Sequence, residues 1–289
     1  MMTRTNPPAD NVYSPENRQD VGATKTKIKR KASNRKFINV LISITAVLFA
    51  VLMWWVAAKW IVDSEIILPT PGQVIDKFMI LAVTTSGEQS LWLNLSISVM
   101  RVLAGWGLGL VVGVTIGIAM ANSRYILFAL DPLLEAGRAI PPLAFAPLVL
   151  VWFGIGETSK IVLLFFAAFP IFAISTTAAI LRVDVSLKRT ALTLGASRSF
   201  MLRAVTIPSV LPEIFVAMRV ASAIVWTTLV AAELLAASQG LGFMIMKAGR
   251  FLDTATIFVG IIMIGIAAYI IDRIIRIIEH KLVPWKGKG

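Results

Sequence analysis

Apolar runs of membrane-spanning length recur along this chain, and that recurrence constrains the fold more than any other feature. A run of roughly 20 residues crosses a hydrocarbon layer of about 30 Å as a helix. Lipid cannot hydrogen-bond an exposed backbone, so such runs are helical or belong to a closed barrel. Barrel strands would alternate apolar and polar residues, and these runs do not. Six runs can be placed, at 37–61, 102–121, 139–155, 160–181, 210–235 and 255–277. Composition agrees: 57% of the 289 residues are hydrophobic, 15% are charged and mean hydropathy is +0.80. No single water-solvated core hides that much apolar surface. The expected class is an all-α membrane protein with six transmembrane helices spread over 37–280.

Punctuation supports this division. Ile67-Leu68-Pro69-Thr70-Pro71-Gly72 stops the chain after the first run, as Pro and Gly should. Leu91–Met100 mixes apolar and polar residues and reads as an interfacial approach to the second run, with Arg101 just before it. Pro170 is expected to interrupt the fourth. Residues 1–36 are polar, aperiodic and basic, and read as a disordered cytoplasmic segment. They do not read as a secretory signal, because the run that follows is of full spanning length.

A net charge of +12 invites a nucleic-acid reading, but the charge is not arranged for one. Nine Lys/Arg lie in 1–36, including Lys25, Lys27, Lys29, Arg30, Lys31, Arg35 and Lys36. A basic cluster flanking a span marks the cytoplasmic side, where it also meets anionic lipid. With the N-terminus inside, 21 Lys/Arg face the cytoplasm in 1–36, 122–138, 182–208 and beyond 272. Outside lie only Lys77, Lys247 and Arg250, with Lys160 at the edge of the fourth run. Both termini are therefore expected in the cytoplasm, the tail at 281–289 included. No cysteine is present, which excludes disulfides and thiolate metal sites, and the lone His280 reads as an interfacial residue.

The second run carries a seam. Gly105, Gly109, Gly113 and Gly117 recur every four residues and so share a helical face. Small residues on one face admit a second backbone closely, whether for static packing or for sliding. Intramembrane charge marks candidates of another kind, since it is costly in lipid and faces a cavity or a partner. Glu233, Arg219 and Arg101 qualify, with Trp226, Thr227 and Thr228 as candidate neighbours on a translocation path. Glu233 fits a gate or interhelix anchor, or a direct contact to cargo.

Residues 182–208 are unusually polar for such a chain. Lys188–Leu194 reads as one or two helical turns with Leu187, Ala191 and Leu194 on one face. Gly195 is placed to stop them, and Pro208 and Pro212 punctuate the entry to the fifth run. A short amphipathic helix at the membrane surface suits a knob that docks into another protein's groove. The pattern fits an interfacial linker helix equally well.

The spacing of this segment resembles the signature loop of permeases in binding-protein-dependent ABC importers, Glu-Ala-Ala, three residues, Gly, nine residues, Ile-x-Leu-Pro. Here stand Arg189-Thr190-Ala191, then Gly195 with Ala196 and Ser197, then Val205-Thr206-Ile207-Pro208. Arg189 and Thr190 depart from the pattern, which removes the acid from that position but not the docking role. Leu194 lies just before the glycine. Two further blocks resemble the nitrate/sulfonate/taurine group of that family, nearest its taurine members. One is Ile140-Pro141-Pro142-Leu143-Ala144, Pro147 and Trp152-Phe153-Gly154-Ile155-Gly156-Glu157-Thr158-Ser159-Lys160. The other is Thr228-Leu229-Val230-Ala231-Ala232-Glu233-Leu234 with Gly240-Leu241-Gly242-Phe243-Met244, and Leu282-Val283-Pro284-Trp285 adds a similar ending.

The resemblance covers about 37–286. It implies a type I, MetI-like permease fold in a bacterial inner membrane and a non-catalytic role in importing taurine or another small anion. It also implies a second copy of this permease, two cytoplasmic ATPase subunits, and an external substrate-binding protein. ATP and magnesium would be bound by the ATPases, with no cofactor in this chain. The residues agree that ATP is handled elsewhere. Gly154-Ile-Gly156-Glu-Thr-Ser-Lys160 is glycine-rich but lacks the Gly-Lys-Ser/Thr ending that cradles phosphate, and reads as a tight turn. A self-sufficient secondary transporter would want an internal repeat around a midplane site. A membrane enzyme would want clustered His, Asp or Glu. Neither pattern is found.

Overall fold

The computed structural model describes residues 38, 41–62, 64–84 and 90–285. The basic segment 1–36 and the last four residues of the tail lie outside the described residues. The chain divides into two units at Ser64–Glu65. The first contains α1, Leu41–Ile61, whose last turn from Ala57 widens to π geometry. Lys59 lies over the Trp55 ring there, 5.2 Å from its centroid.

The second unit is also helical among the described residues. It begins with α2, Pro71–Val83, entered through a capping box. The Thr70 N–H donates to Gln73 Oε1 at 2.8 Å, and the Gln73 N–H donates to Thr70 Oγ1 at 3.4 Å. Pro71 occupies the first helical position, where a missing N–H costs nothing. Next comes α3, Leu91–Asn122, capped by Ser90. At 32 residues α3 is about 48 Å long, well over the hydrocarbon thickness. The stretch 91–100, read from sequence as an interfacial approach, is therefore part of the same continuous helix, and Arg101 lies inside it.

The third apolar run is not one straight helix. α4, Arg124–Ala139, meets a single 3-10 turn at Pro142–Phe145 and then α5, Ala146–Phe153. The two arms are bent by 97°. Pro141 and Pro142 supply no backbone donors, and the residue ahead of a proline is driven out of helical geometry. Ile140 accordingly has φ −84° and ψ 124°. Five described helices are thus long and apolar enough to span, six with the bent pair counted. By contrast, Pro170 does not break α6, Glu157–Arg182, which continues through it as one helix.

Beyond α6 lie α7, Val185–Thr193, a single turn α8 at Arg198–Phe200, and a π stretch at Met201–Thr206. That stretch leads into α9, Ile207–Ala236, followed by α10, Leu241–Arg250, and α11, Thr254–Leu282. The core is built where α3, α6 and α9 pack together, around Phe172, Leu164, Ala168, Ala221, Val225 and Leu229. The α3–α6 contact is the most extensive, and the glycine seam makes it. All four seam glycines are buried. A Cβ on Gly109 would stand 2.6 Å from Ala168 Cβ, and one on Gly117 2.7 Å from the Ala173 carbonyl. The facing residues on α6, Leu164, Ala168, Phe172 and Thr176, are themselves four apart. Two period-four stripes therefore interlock backbone to backbone.

The start of α11 is pinned by Asp253. Its carboxylate accepts the Thr256 N–H at 3.1 Å and the Thr256 hydroxyl at 2.8 Å, and pairs with Lys77 of α2 at 2.7 Å. Partial burial alone would raise Asp253; the Lys77 ammonium and the two Thr256 donors together outweigh it and hold the carboxyl below its ordinary value. A lowered folded value means the unfolded chain takes the proton first as pH falls. The contribution is therefore complete above about pH 4 and is lost below it. The melting-temperature difference between wild type and Asp253→Asn should be clear at pH 6 and shrink as pH falls below the ordinary carboxylate value of about 4. An undiminished difference at low pH would show that the ion pair is not its source.

Candidate functional site

Glu233 is the centre of a buried polar cluster in the half of the unit where α3 begins. It is 0% exposed, on the last two turns of α9. Its Oε1 accepts the Ser98 hydroxyl at 2.7 Å and Arg101 Nη1 at 2.7 Å, and its Oε2 accepts the Gly242 N–H at 2.8 Å. Arg101, 3% exposed, spends its other edge on Glu157. Nε reaches Oε2 and Nη2 reaches Oε1, both at 2.6 Å, a bidentate fork of the geometry guanidinium favours. Lys160, one turn further on α6, also reaches Glu157 Oε1, at 2.9 Å. Two cations and two carboxylates thus balance, as the burial of Arg101, Lys160 and Glu233 requires.

The same side chains fix the turn between α9 and α10. Arg101 Nη1 also donates to the Gln239 carbonyl at 2.7 Å. Asn94 Oδ1 accepts the Gly240 N–H at 2.7 Å, and Ser98 Oγ accepts the Leu241 N–H at 2.9 Å. Gly240 has φ +117°, and a Cβ there would collide with the Glu233 carboxylate and stand 2.7 Å from Arg101 Nη1. Only glycine meets both demands. The turn's backbone donors, which α10 could not satisfy from within, are thereby taken up by α3 and by Glu233.

Of the residues singled out from sequence, Glu233 and Arg101 come together. Arg219 does not join them; it pairs with Asp272 of α11 at 2.9 Å, which also holds Arg276 at 2.7 Å. Trp226 lies in the core with Val225 and Leu229 rather than on an open face. Thr228 is buried, Thr227 is exposed, and both hydroxyls donate to the Ile224 carbonyl. Sequence reasoning missed Glu157 and Lys160, treated as part of a turn, and Asn94 and Ser98. A signal for the last two existed. They continue the seam's buried face of α3 past Gly105 toward its N-terminus.

At the other end of α3, α7 projects with Leu187, Leu192 and Leu194 exposed. Asp184 caps it, accepting the Ser186 N–H at 2.8 Å, and that backbone bond holds its carboxyl below the ordinary value. Gly195, at φ +80°, ends it as expected. The Ala196 N–H reaches the Ala191 carbonyl at 3.0 Å and the Gly195 N–H reaches Leu192 at 2.9 Å, the paired bonds of a Schellman motif. Ala191, Thr190, Leu194, Gly195, Ala196 and Ser197 border one open hollow, and Arg189 lies on the exposed side. Pro208 is the second residue of α9, after the π stretch. Among the described residues no group of His, Cys, Asp or Glu is placed to hold a metal.

The described residues thus form a polytopic helical unit of membrane-spanning character, with a projecting amphipathic helix and a charge-balanced, largely buried cluster. The chain belongs to the family of binding-protein-dependent transport system inner membrane components, whose model matches residues 109–284; it is an ABC importer permease. It is 39% identical to the taurine transport system permease protein of Escherichia coli (strain K12) over 250 residues, 86% of this chain and 91% of that protein. Identity is 35% to a putative aliphatic sulfonates transport permease of Bacillus subtilis (strain 168), covering 91% and 94%. It is 30% to a nitrate import permease of Synechocystis sp., covering 76% and 82%. In fold, the chain matches an inward-facing structure of the MetNI methionine ABC transporter with a TM-score of 0.53 at 21% identity, over 66% of this chain and 98% of that one.

Proposed function

We propose that this chain is the translocating subunit of an ABC importer for taurine or a similar small sulfonate in a bacterial inner membrane. It works as a homodimer beside two cytoplasmic ATPase subunits and receives cargo from an external binding protein. The observation that carries the cargo is the 39% identity to a taurine permease over 250 residues, a length that takes in both the buried cluster and the α7 segment. The sulfonate and nitrate permeases at 35% and 30% favour a second reading, the same role for another small oxyanion.

Both termini face the cytoplasm in this reading, supported by the excess of Lys/Arg on that side. Segment 182–208 then docks to the ATPases through Arg189, Thr190, Ala191, Leu194, Gly195, Ala196 and Ser197, with Pro208 at the root. The exposed Leu187, Leu192 and Leu194 on and just after α7 support that role. ATP binding moves α7, and the helices switch between outward-open and inward-open packings that nucleotide biases by differential affinity. The ATP and magnesium reside in the partner. The seam of Gly105, Gly109, Gly113 and Gly117 keeps α3 and α6 moving as one body.

Uptake of labelled taurine by cells lacking the chain, and by cells complemented with it, tests the reading. Restored uptake, blocked by unlabelled taurine more than by nitrate or longer sulfonates, is the expected result. A folded chain that restores none sinks the taurine assignment. Gly195→Val is expected to abolish uptake with the chain still inserted. Nothing lies within 4 Å of a Cβ at Gly195, so the change acts through its φ of +80° and not through a clash.

A further inference from the structure

The charge cluster is unevenly exposed, and the unevenness separates its two carboxylates. Glu233 is 0% exposed and locked by Ser98, Arg101 and the Gly242 N–H. Glu157 is 56% exposed, although the cations it joins are only 3% and 5% exposed. Glu233 neutralises one buried cation from inside. The other is neutralised from the surface, by the one member of the cluster that solvent reaches. Exchange of that carboxylate for another anion would leave the buried charge balanced, whereas its simple removal would not.

We infer that Arg101 and Lys160 form an anion subsite of the permease in which Glu157 is the resident counter-ion, exchanged for the oxyanion of the cargo. Arg101 is suited to this by the way it is divided. Nη1 is committed to Glu233 and to the Gln239 carbonyl, which hold the guanidinium in place. Nε and Nη2 form the free edge of the fork and both face Glu157. That edge accepts any planar or tetrahedral oxyanion bidentately. Lys160 Nζ, 2.9 Å from Oε1, supplies a third donor direction that a two-oxygen carboxylate shares and a three-oxygen sulfonate uses separately. Glu157 is also the first residue of α6, after Gly156, which caps it with no side chain. The N-terminal N–H groups therefore point their positive end at the same place. The ligand class is a small solute that presents a monoanionic oxyanion group, a sulfonate or nitrate; the sulfonate of zwitterionic taurine qualifies, and a solute with no anionic group gains nothing from exchange. The identification of that anion as cargo rests on the reading under Proposed function. The existence of the subsite does not.

The test uses the full-length chain, purified from membranes in mild detergent without the external binding protein. Thermal unfolding is followed while sodium methanesulfonate is titrated against sodium gluconate, a bulkier anion, at equal ionic strength. Glu157→Gln removes the competing charge, so its methanesulfonate midpoint should fall about tenfold or more below that of the wild type. Adding Lys160→Gln should abolish that gain. Glu157→Asp, with the charge kept but withdrawn by one methylene, should lie between. Equal midpoints in folded wild type and Glu157→Gln overturn the proposal. So does a Glu157→Gln chain that cannot fold even with methanesulfonate present while Glu157→Asp can, since an exchangeable counter-ion must be replaceable by the anion. Taurine uptake by the wild type is measured alongside. Anion binding without taurine uptake leaves the subsite standing and removes the cargo reading; uptake without a shifted midpoint does the reverse.

Discussion

Replacing Glu233 with alanine is expected to lower the stability of the permease more than any other single change in its polar residues. The deletion strands a buried guanidinium edge, the Ser98 hydroxyl and the Gly242 N–H together, because one carboxylate serves all three. Breaking a buried pair by removing one partner costs about 3–5 kcal/mol, most of it from the charge left without compensation. The turn 237–240 loses one of its supports at the same time, since Glu233 is one of the two carboxylates that hold Arg101 against the Gln239 carbonyl. Glu233→Gln should be milder. The amide keeps the shape and can still accept from Arg101 and Ser98, but it turns an NH2 toward the Gly242 N–H, two donors facing each other. Thermal unfolding in detergent checks the order, wild type above Glu233→Gln above Glu233→Ala. A Glu233→Ala chain that melts with the wild type would mean the cluster is not a structural anchor.

The second large effect is expected at the seam, with an internal control on the same helix. Alanine is the better helix former, so Gly→Ala on an unconstrained helical surface stabilises by about 0.5–1 kcal/mol. Gly107 is in that position, with nothing within 4 Å of a Cβ. Gly113 is the opposite case. Its Cβ would stand 2.6 Å from Phe172 Cβ and 2.7 Å from the Phe169 carbonyl. Neither neighbour can swing away, because one is the root of a fully buried side chain and the other is backbone. Gly113→Ala should therefore destabilise by about 1–3 kcal/mol through overpacking, and Gly113→Leu by more. Melting temperatures of Gly107→Ala and Gly113→Ala moving in opposite directions would confirm that α3–α6 contact, not helix propensity, selects glycine. A shift of the same sign in both would refute it.

Much of the architecture is legible in the sequence. Length and continuity of apolar runs located the helices, because the bilayer imposes a length and backbone hydrogen bonding imposes the helix. Glycine marked the C-terminal end of α7, and proline and glycine the loop before α2, since their backbone restrictions act locally and independently of packing. The seam could be read as a shared face from its period alone. What apolarity could not show was direction: the run at 139–155 looks as continuous as its neighbours, yet Pro141 and Pro142 turn the chain through 97° within it. Nor could a hydropathy window keep Arg101 inside a helix, because a single charge lowers the average and pushes the apparent boundary past it.

Tertiary structure alone decided which charges meet. Arg101 joins Glu157 and Glu233 across 56 and 132 residues of sequence, and no local pattern encodes such a pairing. Arg219 and Glu233 share a helix and looked alike as intramembrane charges, yet one was matched to Asp272 of α11 and the other to Arg101 of α3. The sequence by itself determined that this chain crosses a membrane as helices, roughly where most of the apolar runs lie, and that α3 carries a glycine face. It could do so because those properties depend on solvent and on neighbours along the chain. The docking of α3 against α6 and α9, and with it the assembly of Ser98, Arg101, Glu157, Lys160 and Glu233 into one neutral cluster, depends on which faces fit in space. That was settled only when the helices packed.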